Sequence, residues 1–295
     1  MTSSVPTRDI IAFVGRANID LTVRVPHRAE AGRVAFGSGL NTMPGGKSFN
    51  QAVAVTRLGG RAELIANAGA DQWGRQLRDA LVAAGVGTTG FRLLDDAPTG
   101  AAIIEVTPDG ESYVVLAVST QTELTRMNVS QSLRRIDPAV IVAQLDLPAP
   151  ALDGVWDVPR ARLLIGNLVP DHTVDRSMLS RLDLYVVNEH EAAIVLGTDP
   201  ANPAEAAHEL HRLGPRSVVV TAGGDGAYFS SNDETGSVAG AEVEAIDTTG
   251  AGDAFLAALA LRLTQGASLA NATAFANETG ARAVQTEGAL LPPPS

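Results

Sequence analysis

Residues 247–253 read Asp-Thr-Thr-Gly-Ala-Gly-Asp and set two kinds of chemistry side by side. Gly250, Ala251 and Gly252 open the apolar run Ala251–Leu263, whose pattern predicts a helix. A helix entrance offers N–H groups without intrahelical partners and the positive end of the backbone dipole, so it attracts an anion. Asp253 is itself an anion in that first turn. Complementing the dipole accounts for the aspartate but not for the glycines, which weaken a helix. A phosphoryl-transfer site accounts for both. The N–H groups stabilise charge on the transferring group, and the carboxylate accepts the proton of the attacking hydroxyl.

Other polar pairs admit two readings each. Gly45-Gly46-Lys47-Ser48 looks like the end of a phosphate-binding P-loop, yet the glycine required five positions before Gly46 is Asn41. No strand is expected just upstream, only the Gly/Pro-rich Gly37–Pro44. Lys47 and Asn50, three apart at a helix start, suit polyol hydroxyls; the alternative is a glycine hinge with a solvated lysine. Asn18 and Asp20 point the same way from extended backbone and suit vicinal hydroxyls, or form an Asx turn. Asn188 and Glu191 share a face and suit Mg²⁺ held largely through water, or a helix cap. The turn Thr221-Ala222-Gly223-Gly224-Asp225-Gly226 follows a buried strand and borders a mononucleotide, or is a plain hairpin; its spacing is not that of a dinucleotide site.

These groups need a frame. Short β-branched runs at Ile10–Val14, Leu64–Ala66, Val140–Leu145, Leu163–Ile165, Leu184–Val187 and Val218–Thr221 alternate with helical patterns. The helices are expected at Ser48–Leu58, Trp73–Ala84, Glu189–Leu196, Pro203–Leu213, Ala251–Leu263 and Leu269–Val284. The alternation predicts an α/β fold, a mostly parallel sheet between helices. Leu21–Gly39 and Ala101–Val118 break the rhythm with strand-like pieces, the second folded at Pro108-Asp109-Gly110. They read as an inserted β flap or as ordinary edge hairpins. At 295 residues and 45% hydrophobic, one domain can bury the core. A net charge of −11 without any basic run argues against nucleic acid. The absence of cysteine excludes disulfides and thiolate sites. MTSSVPTRDI lacks the pattern of a secretory leader and no apolar run is long enough to span a bilayer, so a soluble cytoplasmic protein without membrane partners is expected.

Asp247-Thr248-Thr249-Gly250-Ala251-Gly252-Asp253 resembles the DTxGAGD signature of the ribokinase-like (PfkB) carbohydrate kinases, and Gly45–Ala52 resembles their GGKGxNxA signature. The pairs at 18/20 and 188/191 and the turn at 221–226 fall in the family's order, so the resemblance spans roughly residues 10–290. It implies a ribokinase-like fold, a single kinase domain over 1–295 with a β lid from about 21–43 and 98–119. It also implies ATP-dependent phosphorylation of a sugar, with Mg²⁺ accompanying ATP. By position, Asp253 would be the base and Gly250, Ala251 and Gly252 the anion hole. Asn18, Asp20, Gly46, Lys47, Asn50 and Asp146 would contact the sugar. Asn188, Thr221, Gly223, Gly226 and Asn277 would border the nucleotide, and Glu191 would organise Mg²⁺ through water. A monovalent cation, K⁺, would sit at Asp247, Thr249, Val284 and Gly288, and a homodimer would form through the lid.

The chain departs from the pattern at Ser48-Phe49, where relatives carry Gly-Ala, at Asp146, where they carry glutamate, and at Ser119-Thr120-Gln121, where they carry Gly-Ala-Asn. Phe49 would narrow the pocket, stack on a nucleobase or pack inside. The expected activity is a ribokinase-like transfer to a pentose or related small sugar. The alternatives are a fructokinase-like or nucleoside kinase, and a non-catalytic sugar- or nucleotide-binding relative.

Overall fold

The computed structural model describes residues 9–158, 163–167 and 176–292. The first eight residues, read above for a leader, and the tail beyond Pro292 lie outside that range. The central strand β1 (Ile10–Val14) is apolar throughout, as a strand covered on both faces must be. Its alternating side chains feed two cores. Ile11 and Phe13 join Phe49, Leu64, Ala257 and Leu259 on one face, while Ala12 and Val14 join Leu133, Leu152, Ala192 and Leu210 on the other. Phe13 has no exposed surface, and truncating such a residue to alanine costs about 3–5 kcal/mol.

After β1 the chain makes β2 (Asn18–Arg24) and β3 (Ser38–Gly45), then α1 (Lys47–Arg57), β4 (Arg61–Gly69), α2 (Gln72–Ala83) and β5 (Gly87–Leu94). A second excursion makes β6 (Ala101–Val106) and β7 (Ser112–Ala117), followed by α3 (Arg126–Ile136), β8 (Val140–Gln144) and α4 (Ala149–Trp156). Next come β9 (Leu163–Asn167), β10 (Leu184–Asn188), α5 (Glu189–Leu196), α6 (Pro203–Arg212) and β11 (Ser217–Thr221). The hairpin β12 (Gly226–Ser231) and β13 (Thr235–Ala239) precedes α7 (Ala251–Thr264) and α8 (Leu269–Ala283). Nine strands form the main sheet in the order β13-β12-β11-β10-β9-β8-β1-β4-β5. Pairing is parallel from β5 to β11 and antiparallel only at the β12–β13 edge.

The four remaining strands form a separate sheet in the order β3-β2-β6-β7, with β2 and β6 parallel across the two excursions. β7 is exposed along its whole length. Strand β3 corrects the expectation that no strand precedes Gly46: Ser38–Gly45 is extended and paired with β2. Pro44 is tolerated there because β3 is an edge strand. Among the described residues, no helix is long and apolar enough to cross a membrane.

Candidate active site

Beyond β1 the chain crosses into the second sheet and returns through β3 directly into α1, and this crossing builds the first half of the site. Asn18 lies opposite Gly45 and Asp20 opposite Met43 in the β2–β3 ladder. Asn18 Nδ2 donates to Asp20 Oδ1 at 2.7 Å, so the two side chains do share a face. The glycines leave room for them. A Cβ on Gly45 would lie 2.0 Å from Asp20 Oδ2, and one on Gly46, whose φ is +99°, would lie 2.7 Å from Asn18 Oδ1. Burial pushes the Asp20 carboxyl up to about 6, the Asn18 hydrogen bond opposes it, and the nearby Asp253 charge adds to it.

The first turn and a half of α1 reaches across to α7. Asn50 Nδ2 donates to Asp253 Oδ2 at 3.1 Å and Gln51 Nε2 donates to Asp253 Oδ1 at 2.9 Å. Lys47 Nζ stands 3.5 Å from Glu191 Oε1. Asp253 is only 9% exposed. Burial drives its carboxyl above the usual range, against the pull of the Lys47 charge and the Gln51 and Asn50 hydrogen bonds. Beside it, α7 begins without a side-chain cap, its N-cap Gly250 in the left-handed region at φ +77°. A Cβ on Gly250 would strike Ala289 O at 2.1 Å, whereas one on Gly252 would find no protein atom within 4 Å. The helix entrance therefore has no side-chain cap and lies next to a buried carboxylate, with the Ala251 N–H turned toward Thr248 O at 3.3 Å.

On the far side, Asn188 and Glu191 form a reciprocal capping box at the start of α5. Asn188 Oδ1 accepts from Glu191 N at 2.8 Å, and Glu191 Oε2 accepts from Asn188 N at 2.9 Å. The cap and the Lys47 contact occupy one carboxylate, so the helix-capping alternative is present in the structure. Glu191 Oε1 has no hydrogen-bond partner. Thr221 lies beside Asn188 in the β10–β11 ladder. Gly223 and Gly226 take φ of +51° and +99° in the turn into β12, so the segment is a hairpin. Asn277 Nδ2 donates to Ala239 O at 2.9 Å, tying α8 to the end of β13. Among the described residues, no cluster of three or more His, Cys, Asp or Glu could hold a metal ion.

Asp247, Thr249, Val284 and Gly288 come together behind the α7 entrance. Asp247 Oδ1 accepts from Thr249 N and Oδ2 from Gly288 N, each at 2.9 Å, while Val284 O accepts from Ile246 N and Asp247 N. Burial pushes the Asp247 carboxyl up, but these hydrogen bonds outweigh it and hold it below the usual range.

On the sugar side, Asp146 is paired with Arg16, whose Nη1 donates to Asp146 Oδ2 and whose Nη2 donates to its backbone O at 3.1 Å, while Asp146 Oδ1 has no partner. Phe49 is 1% exposed and packs inside the core, which leaves neither stacking on a base nor narrowing of the pocket. Sequence reasoning missed Gln51, whose signal was its place one turn after Lys47 on the same helical face. It also missed Arg16 and Asn67, which approach the site only through the folding of β1, β4 and β8.

The pfkB family carbohydrate kinase model matches residues 9–295. The chain is 30% identical over 288 residues to the ribokinase of Haemophilus influenzae, covering 96% of this chain and 94% of that one. It is 31% identical over 301 residues to the ribokinase of Schizosaccharomyces pombe, covering 97% and 95%. The solved ribokinase of Thermotoga maritima superposes with a TM-score of 0.81 at 26% identity, over 95% of this chain and 94% of that one.

Proposed function

This chain belongs to the pfkB family of carbohydrate kinases and is a phosphotransferase acting on a sugar, and we propose that it moves the γ-phosphate of ATP to a hydroxyl of a ribose-like pentose or related small sugar. The observation that carries this is the buried Asp253 carboxylate, aimed by Asn50 and Gln51 beside the uncapped entrance of α7. Asp253 takes the hydroxyl proton as the sugar oxygen attacks the γ-phosphorus and the bond to the departing ADP oxygen breaks. The N–H groups of Gly250, Ala251 and Gly252 receive the charge on the transferring oxygens. Asn18, Asp20 and Lys47 hold the sugar, with Gly46 letting the backbone approach. Asp146 acts there through Arg16. Thr221, Gly223, Gly226 and Asn277 border the nucleotide.

Mg²⁺ fits the α5 entrance, where Glu191 Oε1, buried next to Asn188, has no hydrogen-bond partner and meets the Lys47 ammonium at 3.5 Å, which the ion would have to displace or join through water. When bound through water with ATP, the ion would neutralise phosphate charge. K⁺ fits Asp247, which stays charged and whose oxygens each accept a single N–H among these contacts. The carbonyl of Val284 already accepts two N–H groups and is the poorer donor. No step passes through either ion.

ATP consumption with Mg²⁺ across pentoses, hexoses and nucleosides tests the assignment. The expected result is turnover with a pentose, and a fall in kcat of about 10²–10⁴-fold in Asp253→Asn with the fold retained. Wild-type turnover in that variant sinks the base, and sugar binding without ADP release with any substrate favours a non-catalytic relative. We further propose a homodimer through the second sheet, whose Leu40, Val114 and Val115 are 70%, 59% and 63% exposed beside the unpaired edges of β3 and β7. Sedimentation should give a dimer that Val115→Lys dissociates; a wild-type monomer at micromolar concentration refutes it.

A further inference from the structure

A cleft between the second sheet and the strand ends of the main sheet is lined by Arg16, Asn67 and Glu123 on the body side and by Asn18, Leu116 and Val118 on the other. The chemistry at Asp253 leaves two of these polar groups without a task. Asn67 is 6% exposed, donates through Nδ2 to Glu123 O at 3.1 Å, and keeps its Oδ1 buried with no partner. Native structures rarely leave such an oxygen unsatisfied unless something else is meant to reach it. Arg16 donates to Asp146 Oδ2 and to Asp146 O, and it stands 3.9 Å from Glu123. A guanidinium carries five N–H donors, so donors remain after these contacts. Asp146 Oδ1 is likewise buried and unpartnered.

One corner of the cleft thus holds spare donors and spare acceptors together. Its charge excludes an acidic partner: the single cation Arg16 already faces the two carboxylates of Asp146 and Glu123. A neutral hydroxyl is the group that accepts and donates at the same place. Resting on the sugar-kinase assignment above, we infer that Arg16 and Asn67 are specificity-determining residues that clasp one sugar hydroxyl other than the one phosphorylated. Arg16 donates to its oxygen, and Asn67 Oδ1 takes its hydrogen. Asp146 positions Arg16.

The test uses whichever of D-ribose, D-xylose and D-fructose gives the highest kcat/KM, those of its monodeoxy analogues that keep the phosphorylated hydroxyl, and its sugar acid. Wild type is compared with Asn67→Leu and with the double variant Arg16→Ala/Asp146→Ala, which removes the buried carboxylate along with its partner. Kinetics, calorimetric sugar binding without ATP and thermal unfolding are read together. Wild type should reject one monodeoxy analogue by about 10²-fold or more, because its absence leaves buried polar groups unpaired. In either variant that unfolds cooperatively, binding of the parent sugar should weaken and discrimination against that analogue alone should collapse to within about tenfold. Equal use of every deoxy analogue by wild type, undiminished discrimination in a folded variant, or preference for the sugar acid overturns the inference while turnover of the parent sugar stands. Failure of all three sugars to be consumed overturns the pentose-like assignment and this inference together.

Discussion

Replacing Gly252 with alanine tests the anion hole with a single methyl group. No protein atom lies within 4 Å of the place a Cβ would occupy, and Gly252 is absent from the residues with positive φ. Alanine therefore fits both the space and the backbone. In a helix it is worth about 0.5–1 kcal/mol over glycine, and the first turn sets the lower figure, so unfolding should rise by about 1–2 °C. Activity should move the opposite way, because the methyl group takes the space above the α7 entrance that the transferring phosphoryl group needs. Losing one oxyanion donor costs about 10²–10³-fold in kcat, and that is the expected fall. Gly250→Ala is the contrasting case: its φ of +77° and the 2.1 Å approach to Ala289 O predict loss of stability and activity together. Thermal unfolding and steady-state kinetics on the same preparations decide it. A Gly252→Ala enzyme that is stabilised and turns over like wild type shows that nothing binds above that turn, and refutes the anion hole.

Two further variants probe the carboxylates. Gln51→Leu removes a donor to Asp253 Oδ1 that favours the charged form, so the acidic limb of kcat/KM should move up by about one to two pH units. A limb that stays in place separates Gln51 from the base. Asp20 has a folded value of about 6 against 3.8, so the folded protein holds the extra proton and loses stability as pH rises from 4 through 6. Asp20→Asn should therefore be more stable than wild type by about 2–3 kcal/mol at pH 7 and little different at pH 4, while binding sugar more weakly. Denaturant titrations that show the same difference at both pH values rule out burial of that charge as the cause.

Strands buried on both faces were legible because their apolar runs are continuous, as in Ile10–Val14 and Leu184–Val187. Strand β5 was missed because it is a half-exposed sheet edge begun by Gly87 and broken by Gly90, where a longer side chain would meet Ile65. Helix α4 hid behind Pro148 and Pro150, which read as a turn although proline is at home in a first helical turn. Helix α3, built on RMNVSQSLRRI, buries only Val129, Leu133 and Ile136, too sparse a stripe to announce itself. At the site, local motifs were visible wherever the chemistry is local, as at Gly250–Asp253. Pairings across the fold were not. Arg16 and Asp146 are 130 positions apart, and only the parallel pairing of β1 with β8 brings their loops together.

The buried face of α1 shows why that pairing matters for function more than for folding. Asn50 and Gln51 are 5% and 1% exposed, and each carries a side-chain oxygen without a partner. Burying amides incompletely bonded is costly, and apolar residues at both positions would make a better core. What these amides do instead is hold both oxygens of Asp253. Burial pushes that carboxylate toward its protonated form, in which it is no base, while full solvation would leave it a weak one. The amides and the Lys47 charge pull against burial and set the balance between those extremes. The polar stripe Lys47-Asn50-Gln51 is therefore a loss to the fold that the proposed role of Asp253, a dry carboxylate aimed at a proton, would explain.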